Sequence, residues 1–150
     1  MVEIGGEIKA KGMNPKGKVW KIGIDRPKYG NIIPGLQMQV ILELNEKALA
    51  TSGNYRKFYE EDGVKYTHSI DPQTGYPAKH EILSATIIAE NCMLADAYAT
   101  ACMVVGLQKA KELVISEDLD AYLIYGDSEG EYQVWTSRGF KKYIYREIKN

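Results

Sequence analysis

Apolar and polar positions alternate from the first residues. Val2, Ile4 and Ile8 are apolar, and Glu3, Glu7 and Lys9 are polar, which predicts a strand over 2–10 interrupted by Gly5 and Gly6. GMNPKG at 12–17 carries turn signals. KVWKIGID at 18–25 reads as the returning strand, so the first element is predicted to be a hairpin. RPKYGNIIPGL at 26–36, with two Pro and two Gly, reads as a loop. QMQVILEL at 37–44 and ALATSG at 48–53 are apolar strands. RKFYE and KYTHSI form a second hairpin around EDGV, because Asp62-Gly63 favours a tight turn. DPQTGYP at 71–77 is a loop: Asp71 caps a turn, Pro72 fixes its dihedral and Gly75 permits a positive one.

The second half changes period. LSATIIA at 83–89 is a buried strand. Asn91 is a good N-cap for a helix at 93–106 that ends at Gly106. A second helix follows at 107–116, with Lys109, Lys111 and Glu112 facing outward. Residues 120–126 and 130–136 form a hairpin, and 139–148 a closing strand. No repeat, low-complexity segment or linker interrupts the chain. The pattern predicts one α+β domain over 1–150, mainly antiparallel sheet with helices packed on one face.

Composition narrows the function classes. The 150 residues carry 19 basic and 20 acidic side chains, net −1, a balance that argues against nucleic acid as a partner. No apolar run approaches the roughly 18 residues that span a bilayer. The start, MVEIGGEIKAKG, has neither the basic n-region nor the apolar h-region of a signal peptide, so no export is expected of the chain as written. Cys92 and Cys102 fall ten positions apart on one predicted helix, roughly 15 Å, too far to bridge. They read as small apolar residues rather than metal ligands.

Two features suggest chemistry. Asp96 and Thr100 lie one turn apart on an otherwise apolar helix. Apolar surroundings suggest burial, and a buried carboxylate is costly without a cation or donors. Hard oxygen ligands from an Asp and a Thr suit magnesium. The structural alternative places Asp96 near the first turn, where the helix dipole favours an anion, with Thr100 bonded back to the Asp96 carbonyl. The second feature is His68, at a strand end just before the Asp71 turn. Turn chemistry explains Asp71, Pro72 and Gly75 but not His68, and histidine suits proton transfer near neutral pH; most lone histidines are nonetheless structural or exposed. His80, in the polar stretch AKHE, reads as solvated. Gly5-Gly6 marks a bulge or a close backbone approach. Ser52-Gly53 offers a hydroxyl and an open N–H to an anion, although each pair alone reads more simply as a turn.

Taken in order, IGGEIKAKG with KVWKIGI, ALATSGNYRKF, YTHSIDPQTGYP and ADAYATACMVVG resemble the ApbE-type FAD:protein FMN transferases over nearly the whole chain. The His-x-x-Asp-Pro-x-Thr-Gly run is the most distinctive. The resemblance implies an α+β fold related to tunnelling-fold proteins, Mg²⁺ as cofactor and FAD as substrate. The implied reaction moves FMN from FAD to a Thr or Ser of an acceptor flavoprotein and releases AMP; some members hydrolyse FAD instead. It implies a metal pair at Asp96 and Thr100, and His68 as base. It also implies cofactor contacts at Gly5, Gly6, Ser52 and Gly53, and at Thr74 and Gly75 of the motif. Family members are often exported and lipid-anchored in bacteria.

Family members are also longer, with a Gly-rich segment upstream of the IGGE strand, so the resemblance implies a partial domain. Three readings follow: an active transferase or FAD pyrophosphatase, a flavin-binding module without turnover, and a subunit completed by another chain. A partial domain is expected to expose Val2, Ile4 and part of the DAYAT helix. That predicts a homodimer or larger oligomer and weak affinity for FAD.

Overall fold

The computed structural model describes residues 1–27, 35–54, 58–61, 64–67, 69–78, 80–127 and 131–148. Its strands are β1 (Val2–Ile4), β2 (Glu7–Lys9), β3 (Trp20–Asp25), β4 (Met38–Leu44), β5 (Ala48–Gly53), β6 (Phe58–Glu61), β7 (Val64–Thr67), β8 (Ile82–Ala89), β9 (Asp120–Gly126), β10 (Tyr132–Thr136) and β11 (Ile144–Glu147). The helices are α1 (Cys92–Val105) and α2 (Leu107–Ser116).

These strands build an antiparallel sheet in the order β1-β2-β5-β8-β9-β10, a smaller one in the order β11-β4-β3, and the hairpin β6-β7. Among the described residues every strand pairing is antiparallel. The central strands β8 and β9 of the large sheet are buried on both faces, because they alternate between two cores. Ala85, Ile87, Ala121 and Leu123 pack with Ala99, Cys102, Met103, Ala110 and Val114 of the helices. Leu49, Ile88, Tyr122 and Ile124 point the other way, onto Ile22, Ile24, Val40, Leu42 and Leu44 of the small sheet. The result is three layers: helices, large sheet, small sheet. The helices do lie on one face, as the pattern predicts. The second sheet on the opposite face is the feature that periodicity does not reveal.

The start of the chain differs from expectation. Residues 2–10 are not one strand paired with 18–25. Gly5 and Gly6 have φ of 69° and 108° and form the turn of a hairpin in which Val2 faces Lys9 and Ile4 faces Glu7. Positive φ at both central residues is the tight-hairpin geometry that Gly-Gly favours. β3 belongs to the small sheet, where Ile22 lies opposite Leu42. A second difference concerns 139–148: Gly139–Tyr143 form a 3-10 turn, and only Ile144–Glu147 are strand. Phe140 anchors that turn, fully buried with its ring 5.4 Å from Tyr122.

Local signals hold well elsewhere. Asn91 caps α1 by accepting the Leu94 N–H at 2.9 Å. Gly106, at φ 80° and ψ 167°, ends that helix. Both cysteines are free, and burial pushes the Cys102 thiol up to about 11.

Candidate functional site

The site is created by an incomplete ladder. β5 pairs with β8 along its whole length, from Ala48–Ala89 to Gly53–Ser84. It pairs with β2 only at Ile8–Leu49 and Lys9–Ala48. Beyond that point the Gly5-Gly6 hairpin and the end of β5 face each other across a cleft of about 670 Å³. The cleft therefore receives residues from both faces of the large sheet. Thr51 belongs to the small-sheet side, where its Oγ1 lies 2.8 Å from the Thr86 hydroxyl. Ser52 points to the helix side. The edge strand β3 supplies the far wall through Lys21, Gly23 and Asp25, with Met38 beside them.

α1 brings Asp96 and Thr100 to the same cleft. Its buried stripe is Ala95, Ala99, Cys102 and Met103, at helical spacing. The two small alanines let the helix lie close to the sheet. Asp96 and Thr100 follow each alanine by one residue, which sets them on the margin of that stripe. Both are exposed, so the expected burial of Asp96 is incorrect: the helix is apolar in composition, but its outer residues Met93, Leu94 and Ala97 are exposed too. Asp96 is also the fifth residue of the helix, beyond the first turn, which contains no acid; the dipole alternative loses its footing. Instead of a bond back to the helix, the Thr100 hydroxyl has the Ser52 hydroxyl at 3.1 Å.

The structure thus gathers Gly5, Gly6, Ser52, Gly53, Asp96 and Thr100 into one cleft. Thr74 and Gly75 are not among its lining residues. They complete the turn after Ile70: the Gly75 N–H donates to the Asp71 carbonyl at 2.8 Å, the Asp71 carboxylate accepts the Gln73 N–H at 2.9 Å, and Gly75 has φ 74°. The Thr74 hydroxyl accepts the Tyr76 N–H at 3.3 Å. His68 lies outside the described residues. His80 is exposed, as expected.

Several cleft residues went unnoticed in the sequence: Glu3, Glu7, Lys21, Gly23 and Asp25. A glycine between Ile22 and Ile24, inside a strand, was the available signal. Carboxylates outnumber amines on the lining, with Glu3, Glu7, Asp25 and Asp96 against Lys21. The Lys21 ammonium is held over the Tyr145 ring, 3.0 Å from its centroid, and the hydrogen bond and charge of Lys21 lower the Tyr145 phenol below its usual range.

Among the described residues, no cluster of three His, Cys, Asp or Glu side chains could enclose a metal. The cleft offers a sparser set: the Asp96 carboxylate, the Thr100 hydroxyl and the adjoining Ser52 hydroxyl. All are hard oxygens open to solvent. This fits Mg²⁺, which keeps several waters and takes substrate phosphates rather than a closed protein cage.

The chain is similar in sequence and in fold to known proteins. The ApbE family matches residues 1–123. The FAD:protein FMN transferase of Salmonella typhimurium is 38% identical over 144 residues, 96% of this chain and 40% of that protein. Its counterpart in Haemophilus influenzae is 41% identical over 142 residues, 95% of this chain and 40% of that protein. The solved flavin transferase ApbE of Vibrio cholerae superimposes with a TM-score of 0.79 at 36% identity, covering 94% of this chain and 43% of that one. The ApbE protein of Thermotoga maritima gives 0.73 at 32% identity. The chain thus spans about 40% of the length of the curated relatives it matches. With the family matched over residues 1–123 and nearly the whole chain aligned to these relatives, the polypeptide belongs to the ApbE family.

Proposed function

We propose that this chain carries the metal-holding wall and the histidine loop of an FAD:protein FMN transferase. The reaction transfers FMN from FAD to a Thr or Ser hydroxyl of an acceptor flavoprotein. The observation that carries the reading is the convergence of Asp96, Thr100, Ser52-Gly53 and Gly5-Gly6 on one cleft. Relatives named for this reaction support it.

In the proposed reaction the acceptor oxygen attacks the phosphorus of the FMN half. A new P–O bond forms, the bond to the AMP oxygen breaks, and AMP leaves. Asp96 and Thr100 would hold Mg²⁺, which when bound supplies positive charge to the diphosphate oxygens. His68 takes the acceptor's hydroxyl proton, a task worth roughly 10²–10⁴ in rate for a positioned base. The Gly5-Gly6 turn admits the ligand close to the main chain, since neither residue adds a Cβ. Thr74 and Gly75 hold the loop that follows His68 in the chain and would contact the cofactor from that loop. The domain is then part of a larger catalytic unit, with FAD and the acceptor as partners.

The direct test adds FAD and Mg²⁺ to purified protein and assays AMP. Magnesium-dependent AMP release, lost in a folded Asp96→Ala variant, is expected. FAD binding without AMP would mark a binding module. Activity arising only on mixing with another chain would mark one half of a two-chain assembly. An unchanged magnesium response in Asp96→Ala would overturn the metal assignment.

A further inference from the structure

We infer that Ser52 is a positioning residue for Thr100, setting the direction in which the Thr100 hydroxyl presents its lone pairs to a divalent cation. The inference rests on the proposed metal pair and goes beyond it. A threonine inside a helix divides between two rotamers, because its hydroxyl can bond back to the carbonyl one turn earlier. In that back-bonded state the oxygen is committed to the helix. Here the Thr100 oxygen lies 3.1 Å from the Ser52 oxygen, on a different element, and both line the cleft beside Asp96.

The chemistry of the pair fixes which hydroxyl donates when a cation is bound. A hydroxyl ligand gives its lone pairs to the metal and retains a proton. That proton needs an acceptor, and the Ser52 oxygen is in place. Thr100 then donates, Ser52 accepts, and a cation on Thr100 strengthens the bond by making its proton more acidic. The Ser52 proton remains available to an anionic oxygen in the cleft.

Ser52 is itself held firmly. Its neighbour Thr51 is bonded across the ladder to buried Thr86. The strand end is pinned by Asn54, whose N–H donates to the Leu83 carbonyl at 3.1 Å and whose side-chain amide donates to the Ile82 carbonyl at 2.9 Å. The β5–β8 register places Ser52 opposite Ala85. A fixed acceptor on the sheet thus orients a mobile hydroxyl on the helix, the arrangement by which outer-shell groups tune metal ligands.

The test is Mn²⁺ binding to the purified chain without FAD, followed by electron paramagnetic resonance, so that no turnover is needed. Ser52→Ala should weaken Mn²⁺ by on the order of tenfold with an unchanged melting temperature. Ser52→Thr, which retains the acceptor oxygen, should recover most of that loss. If Asp96→Ala weakens Mn²⁺ and Ser52→Ala does not, the positioning role is overturned while the metal site stands. If neither variant changes Mn²⁺ affinity, the metal site itself is wrong and the positioning role falls with it.

Discussion

The His80 ring lies directly over Gly106: a Cβ built on that glycine would sit 2.9 Å from His80 Nδ1. This contact joins the segment after the Asp71 turn to the junction of α1 and α2. Gly106 is constrained twice over, since its φ of 80° with ψ of 167° lies in a region open essentially only to glycine.

Gly106→Ala should therefore destabilise the protein by about 1–3 kcal/mol from backbone strain, with a further cost from the His80 contact. Urea denaturation of Gly106→Ala, His80→Ala and the double variant separates the two. The double variant should recover only the contact part. Full recovery would show that strain at Gly106 is negligible.

Alkaline pH should weaken the fold in a defined window. Burial raises Cys102 from 9.0 to about 11 and Tyr122 from 10.0 to about 12. In each case the folded state holds its proton more tightly than the unfolded chain. The stabilisation is therefore complete below the unfolded value and is lost as pH rises through the folded one. Two units correspond to about 2.7 kcal/mol per group at most. Stability should fall from pH 9.0 upward, and Cys102→Ala should flatten the first part of the decline. A variant with an unaltered pH profile would remove Cys102 from the explanation.

His68→Ala should reduce FMN transfer or FAD hydrolysis by at least roughly a hundredfold, the loss expected for a general base, with little change in melting temperature. Equal activity, or collapse of the fold, would assign His68 a different role.

Self-association is expected at micromolar concentration. Among the described residues β1 ends the large sheet, and all three of its residues are exposed, Val2 at 60% and Ile4 at 74%. An apolar free edge invites pairing with another chain. FAD affinity should be weak, because a cleft this open covers little of the ligand. Sedimentation with and without FAD tests both expectations. A monomer that binds FAD tightly would contradict them.

Short-range chemistry was the legible part of this molecule. The Asn91 cap, the Gly106 stop, the Asp71 turn and the span of α2 all depend on residues within a few positions of each other, and each lies where the sequence puts it. Partner choice among strands was less legible. The alternation of β3 fits either sheet, and only the burial of Ile22 and Ile24 against Leu42 and Val40 decides it. Six of the candidate site residues were named from motifs and do share a cleft. The residues from β3 were missed because their contribution depends on packing between layers. Asp96 lines the cleft but is exposed: the apolar composition of α1 predicts burial, whereas the side of the helix that carries Asp96 faces solvent.

The unfinished ladder between β2 and β5 has a consequence for how this site tolerates change. A strand edge recognises a ligand through peptide N–H and carbonyl groups that every residue carries. If FAD meets β5 in this way, replacing Thr51, Ser52 or Gly53 with another small side chain would leave the main-chain contacts in place, and alanine scanning would undercount them. What the site cannot survive is a shift in spacing. One residue inserted into β5 would turn each side chain to the opposite face, exchanging the side that meets α1 for the side that meets the small sheet. Evolution can vary the letters along this edge more freely than it can vary their number.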